Sequence, residues 1–420
     1  MELSDRFLEV QDQGHWFISF YAPWCGHCKR LHPIWEQLGH ALSETEIRVA
    51  RLDCTRFTKV SSAVGVQGFP TLMYFRNGAK FVYEGDRTRE ALTDFAMKVY
   101  GPAVRDVGSK EQFVQISQHF HAGFFLFVTP PTSTDSSASS QQDQDKRELE
   151  QLYESAADTL FTKAYFFRVK QEFLPPNITL SSVPTVIALQ EGRLEVFEQK
   201  NADKATLVSW LNEQRWPLFG QITYGNLYDM GLCCDKLLVI VSSDIVDRRK
   251  LGSSVQKLDQ LVQSVAVKYR QQLSRWFFFG WTDGASIANN IIMGSLAIPS
   301  LVVFNASSYQ FFLPEDPVDK MTEASLSAWL QQISKGVKEP LGGRGWGQRF
   351  RRIFFDTYST FYNMFATQPL LSSCLFGLPL GILSIICYTL CSSDVASEQD
   401  EVYRDSDEDS DLEEEHEKYD

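Results

Sequence analysis

"SFYAPWCGHCKRLHP", residues 19–33, decides how the rest of the chain is read. It holds two of the eight cysteines two residues apart, with Gly26 and His27 between them and Trp24 just before. Upstream, "HWFISFYA" (15–22) is an apolar and aromatic run of strand character. Downstream, Leu31, Ile34, Trp35, Leu38 and Leu42 recur on one face of a helix expected from Cys25 to Leu42. The thiols therefore stand where a strand hands over to a helix. Thiol–disulfide exchange needs an attacking thiolate and a second thiol close enough to resolve the mixed disulfide. The free N–H groups and positive end of the helix dipole favour the thiolate of Cys25. Cys28, a turn inward, is the resolving thiol. His27 adds a donor or cation beside the sulfur, which stabilises the reduced form and makes the disulfide a stronger oxidant. Zinc is the competing use of such a pair, but a tetrahedral site takes four ligands and no second CxxC exists. The adjacent Cys233 and Cys234 are poorly spaced to chelate one metal, and a core role is their default reading. Cys54, after an apolar strand, reads as an inert core thiol.

Around the motif the chain alternates strand and helix signals. "IRVARLDC" (47–54) is a second strand and Ser61 to Val66 a short helix. "PTLMYFRNGAKFVYEG" is a hairpin turning at Asn77-Gly78, and Thr88 to Tyr100 a closing helix. The order β-α-β-α-β-β-α with CxxC at the first strand–helix junction is that of a thioredoxin fold. Its usual first strand is expected to precede Met1 or overlap it poorly. The plan recurs twice without the cysteines. "GFFLFV", a helix from Lys146 to Phe161, "KAYFFRV", a hairpin after Pro184 and a helix from Asp203 to Glu213 make one copy. "KLLVIVSS", a long helix from Leu251 to Leu273, a hairpin after Pro299 and a helix from Met321 to Ser334 make another. The polar stretch 129–145 is expected to be a disordered loop.

The fold expected is α/β, with three tandem thioredoxin-like domains, one C-terminal transmembrane helix and an acidic tail. The boundaries are 1–103 for the domain with CxxC, 104–215 and 216–340 for the other two, 341–369 for an amphipathic segment, 370–391 for the membrane helix and 392–420 for the tail. In 341–369, Phe350, Ile353, Phe354, Phe361 and Phe365 fall near one helical face, as in a helix lying on a membrane or packed on the third domain. Leu370 to Cys391 runs 22 residues without a charge, enough to cross a bilayer. The net charge is −13, but the tail alone holds 14 Asp and Glu against Arg404 and Lys418. The remainder is close to neutral, which implies no basic surface and excludes nucleic acid as the expected partner. The tail reads as a solvated segment in which Ser406 and Ser410, each followed by acids, suit an acid-directed kinase. Cys391, at the edge of the span, is a position where palmitoylation can occur.

"MELSDRFLEV" has neither the basic nor the apolar region of a signal peptide, so the chain is expected to start late or to be inserted through its membrane helix. Arg344, Arg349, Arg351 and Arg352 before the span argue for a cytosolic side. The sequons at Asn177 and Asn305 argue for a lumenal one, and the redox chemistry decides for an oxidising lumen on residues 1–369 with a cytosolic tail.

"FYAPWCGHCKRLHPIW" together with "GVQGFPTLMYFRNG" resembles the catalytic domain of the protein disulfide isomerase family. The resemblance implies protein disulfide isomerase activity at an endoplasmic reticulum membrane, with Cys25 attacking, Cys28 resolving and Gly26-His27 as the isomerase-type dipeptide. It implies that Pro70 is a cis-proline presenting the backbone of Phe69 to the sulfurs, with Trp24, Phe69, Pro70 and Thr71 forming the substrate surface. It implies no cofactor other than the Cys25–Cys28 disulfide and no metal. The partners it implies are unfolded or misoxidised secretory and membrane proteins, glutathione or an oxidase as redox partner, and the lipid bilayer. Two departures stand out. Ser19 and Arg51 occupy the places of the family's buried Glu and its Lys partner, and Val99 stands where a mobile Arg is expected. Slow deprotonation of Cys28 and modest turnover follow. A different class of function stays open on these residues: a membrane-tethered binding or chaperone module with weak redox activity.

Overall fold

A computed structural model of the chain describes residues 1–120, 123–130, 140–199, 202–367, 369–370 and 372–390. The expected loop core at 131–139, Cys391 and the whole acidic segment with Ser406 and Ser410 lie outside the described residues.

Residues 1–344 form one compact unit. The first part contains α1 (Phe7–Val10), β1 (His15–Tyr21), α2 (Gly26–Ala41), β2 (Ile47–Asp53), α3 (Thr58–Val64), β3 (Thr71–Arg76), β4 (Ala79–Tyr83) and α4 (Arg89–Tyr100). Its sheet has the order β2-β1-β3-β4, with β1 parallel to β2 and antiparallel to β3. A single parallel bridge joins Glu2 to Arg51, with Leu3 N–H bonded to the Arg51 carbonyl at 2.9 Å. The expected missing first strand is thus represented by residues 1–3, running along the free edge of β2.

Then follow β5 (Val104–Val107), α5 (Lys110–His119), β6 (Phe124–Thr129), α6 (Ser140–Leu160), β7 (Phe166–Lys170), β8 (Thr185–Gln190), β9 (Arg193–Val196) and α7 (Lys204–Gln214). Their sheet runs β5-β7-β6-β8-β9. The third set is β10 (Gly220–Gln221), α8 (Leu227–Leu232), β11 (Leu237–Ser243), α9 (Ile245–Arg249), α10 (Ser254–Lys268), α11 (Arg270–Leu273), β12 (Phe277–Asp283), α12 (Ser286–Ile292), β13 (Ser300–Asn305), β14 (Gln310–Phe312), α13 (Glu323–Ser334) and β15 (Leu341–Gly342). Here the order is β10-β12-β11-β13-β14-β15. Each sheet joins parallel strands to an antiparallel hairpin, and in each the hairpin is entered through a cis X-Pro bond: Phe69-Pro70, Val183-Pro184 and Ile298-Pro299.

Helix starts follow capping chemistry. Thr88, Ser109, Asp203, Ser253 and Thr322 each accept a backbone N–H of the first turn. Two expectations are corrected. The helix foreseen from Leu251 to Leu273 begins only at Ser254, because Gly252 turns the chain at φ 77° and Ser253 caps; it breaks at Tyr269 into α10 and α11. The polar segment read as loop to residue 145 is helical from Ser140 onward in α6. Its Gln, Glu, Lys and Arg are straight-chain residues that extend a helix once its C-terminal half is packed. That half is anchored by Tyr153, Ala156, Ala157 and Leu160, all buried.

Residues 345–390 belong to a second unit. It contains α14 (Trp346–Thr367), whose Trp346, Phe350, Ile353 and Phe354 are exposed. The helix Ser372–Leu390 is 19 residues long and apolar enough to cross a membrane.

Candidate functional site: the Cys25–Cys28 pair at the head of α2

β1 is buried through its five central residues and delivers the chain to the N-terminus of α2. Leu31, Trp35, Leu38 and Leu42 bury one face of the helix and fix its pose, with the Trp35 indole N–H donating to the Ala50 carbonyl at 2.9 Å. Cys25 is the N-cap, in extended conformation, and its Sγ accepts the backbone N–H of Cys28 at 3.2 Å. The two cysteines form a disulfide with Cα atoms 5.3 Å apart. Sulfur at an N-cap meets unsatisfied helix N–H groups, so negative charge there is stabilised in the reduced state. Cys25 and Cys28 are 6% and 8% exposed and pack with Ala22, Tyr21 and Phe69.

The structure gathers the other expected residues at this point. The Phe69 carbonyl oxygen lies 3.7 Å from Cys25 Sγ. The Trp24 ring, 72% exposed, meets the Phe69 ring edge-on with centres 6.0 Å apart. The pair makes an apolar rim beside the sulfurs. Pro70 presents its carbonyl to Arg87 Nη2 at 3.2 Å, and the Thr71 hydroxyl closes the turn by donating to the Gly68 carbonyl at 2.7 Å. His27 is paired in a way the helical i,i+3 spacing could have announced: the Arg30 guanidinium donates to its Nδ1 at 2.9 Å. Gly26 is the first residue of α2.

The two departures from the family pattern have clear positions. Ser19 is 6% exposed, between Arg51 on β2 and Leu72 on β3 in register. Arg51 does not complement it with a charge pair. Its guanidinium turns to Glu2 at 3.3 Å and to His32 Nε2 at 3.0 Å, and lies over the Tyr21 ring. The Tyr21 hydroxyl donates to Glu2 at 2.8 Å, and burial, then that bond, push its pKa up to about 12. This Glu2–Arg51–His32–Tyr21 cluster was not read from the sequence. His32, one helical turn after Cys28, was the available signal. Val99 is wholly buried on α4, and its carbonyl accepts Arg76 at 3.0 Å. Cys54 is 4% exposed, and burial, with Asp53 next to it, pushes its thiol up to about 11. Asn177 is exposed, while Asn305 ends β13 with its side-chain oxygen accepting the backbone N–H groups of Ser307 and Ser308 in the turn to β14. Among the described residues no cluster of three His, Cys, Asp or Glu is arranged to hold a metal.

Comparison with known proteins adds to this geometry. The Thioredoxin family model matches residues 4–98. Protein disulfide-isomerase TMX3 of Xenopus laevis is 33% identical over 423 residues, covering 99% of this chain and 88% of the relative. Protein disulfide-isomerase TMX3 of Homo sapiens is 30% identical over 395 residues, covering 94% and 82%. Among solved structures, human ERp44 form I is 16% identical with a TM-score of 0.36, covering 80% of this chain and 86% of that one. With a relative one-third identical along almost its whole length, the chain belongs to the protein disulfide isomerase family, among relatives of the TMX3 type.

Proposed function

We propose that this chain is a membrane-anchored protein thiol–disulfide oxidoreductase and isomerase acting on folding proteins in the lumen of the endoplasmic reticulum. The observation that carries the proposal is the Cys25–Cys28 disulfide at the head of α2, with the Phe69 carbonyl against Cys25 and an exposed Trp24 beside it. The names of the TMX3 relatives support the activity. In the oxidising direction a client thiolate attacks the Cys25 sulfur, the Cys25–Cys28 bond breaks and Cys28 leaves as thiolate. A second client thiolate then displaces Cys25, so the client gains a disulfide and the chain holds two thiols. In the isomerising direction reduced Cys25 attacks a client disulfide, and Cys28 releases the client if rearrangement stalls. An extended client strand is held by the backbone of Phe69, while Trp24, Phe69, Pro70 and Thr71 supply the surrounding surface. The redox partner is glutathione or an oxidase.

Three tandem thioredoxin-like domains, at 1–103, 104–215 and 216–340, carry this function, the second and third binding clients without thiols of the CxxC kind. α14 rests on the lipid surface, and Ser372–Leu390 spans the bilayer. Glycosylation at Asn177, and less readily at Asn305, would accompany the lumenal placement. Reactivation of scrambled ribonuclease by the purified protein tests the chemistry. Cys25→Ser/Cys28→Ser should abolish it, and an unchanged rate overturns the proposal. The second reading, a tethered binding module, is favoured by one observation: Ser19 supplies no buried base. It predicts that the same double variant restores every defect of a cell lacking the protein.

A further inference from the structure

Cys233 and Cys234 follow α8, where the chain turns through left-handed Asp235 (φ 51°) into β11. Both are half-buried at the edge of the core containing Leu227, Met230 and Phe304. The Trp216 indole N–H donates to Cys233 Sγ at 3.4 Å, and the Cys233 thiol reaches the Met230 carbonyl at 3.3 Å. The Arg215 guanidinium stacks over the Trp216 ring, 4.0 Å from its centre, and pairs with Asp229 at 2.8 Å. On the other side Lys236, 6% exposed, bonds Glu213 and the Ser274 carbonyl. A site needing only small apolar bulk has no use for an N–H aimed at sulfur beside two ion pairs, Arg215–Asp229 and Lys236–Glu213.

We propose that Cys233–Cys234 is a second thiol-exchange site, taking low-molecular-weight disulfides of the glutathione class. Cys233 thiolate attacks one sulfur of the small disulfide, forming a mixed disulfide and expelling a thiolate that takes up a proton. Cys234, deprotonated in turn, attacks the Cys233 sulfur; a ring disulfide forms and the second small thiol leaves. The dithiol is oxidised by two electrons and one small disulfide becomes two thiols. The bond from Cys234 holds the Cys233 thiol below its ordinary range against burial, with Trp216 and Arg215 acting the same way. The same contact raises Cys234, so Cys233 is the attacking sulfur. Adjacent Cα atoms are only about 3.8 Å apart, shorter than the roughly 4.4–6.8 Å of ordinary disulfides. The ring is therefore strained and easily reduced, which suits a reversible site and not a structural bond.

The test uses full-length Cys25→Ser/Cys28→Ser protein, so its outcome is independent of the function proposed above. It is incubated with oxidised glutathione near neutral pH and mapped by mass spectrometry. The expected result is oxidation or a glutathionyl adduct at 233–234, forming about tenfold or more faster than any adduct at Cys54. Adding Cys234→Ser should leave a stable adduct on Cys233. Adding Trp216→Phe, which keeps the ring and loses the N–H, should slow its formation severalfold, with folding verified by circular dichroism. No modification at either cysteine in the folded protein, or a rate untouched by Trp216→Phe, overturns the proposal.

Discussion

Ser19 is the residue at which a slow first site is expected to originate. A resolving cysteine reacts as thiolate, and the position where a carboxylate could take its proton holds a hydroxyl, while Arg51 is engaged with Glu2 and His32. Ser19→Glu should speed release of a mixed disulfide by about tenfold or more, measured by stopped-flow with a thiol peptide. It should also cost about 1–3 kcal/mol in chemical denaturation, because the new carboxyl is buried without a partner. A variant with unchanged release would remove Ser19 from the account. Trp24 makes the opposite kind of prediction. Its ring is exposed, so Trp24→Ala should leave the melting temperature within a degree or two while raising KM for an unfolded client severalfold. Equal KM would show that the rim does not touch clients.

Elements, more than single residues, were legible in the sequence. The strand–CxxC–helix junction, the hairpins after Pro70, Pro184 and Pro299, and the helices α2, α4, α7 and α13 came from periodicity and turn chemistry, whereas α5 was not read from the sequence. β12 was missed although β1, β6 and β11 are as fully buried and were read: its apolar run "FFFGWTD" is interrupted by Gly280, a residue depleted in strands. The Arg51 cluster was missed because Glu2 and Arg51 are distant in sequence and meet only through the edge pairing of residues 1–3 with β2. That β-edge also carries a pH prediction. Cys54, at the end of β2, has its thiol raised from 9.0 to about 11 in the folded chain. The unfolded chain therefore releases this proton first as pH rises. The contribution is fully present below pH 9 and is lost between there and about 11. The denaturation midpoint should fall over that window, and Cys54→Val should flatten the fall. An identical slope in the variant would assign it to other groups, such as the buried Tyr74 and Tyr165 and the half-buried Tyr83, whose hydroxyls are also raised.

At the scale of the molecule, the proposed function needs both the unit of residues 1–344 that carries the thiols and the apolar helix Ser372–Leu390. A chain ending at Arg344 retains the compact unit that contains both thiol pairs. It should remain in the supernatant after carbonate extraction and keep ribonuclease reactivation within about twofold of the full chain, whereas the full chain should pellet with membranes. Equal solubility of the two would contradict the anchor. The proposed roles of the two thiols are that Cys25 attacks protein disulfides and Cys28 releases them. These roles are tested most directly by expressing Cys28→Ala and Cys25→Ala in cells, alkylating rapidly and resolving the adducts on non-reducing gels. Cys28→Ala should accumulate reducible adducts with secretory and membrane proteins, joined through Cys25, and Cys25→Ala should not. Adducts of equal abundance in both variants, or none in Cys28→Ala while its Cys25 remains alkylatable, would contradict them.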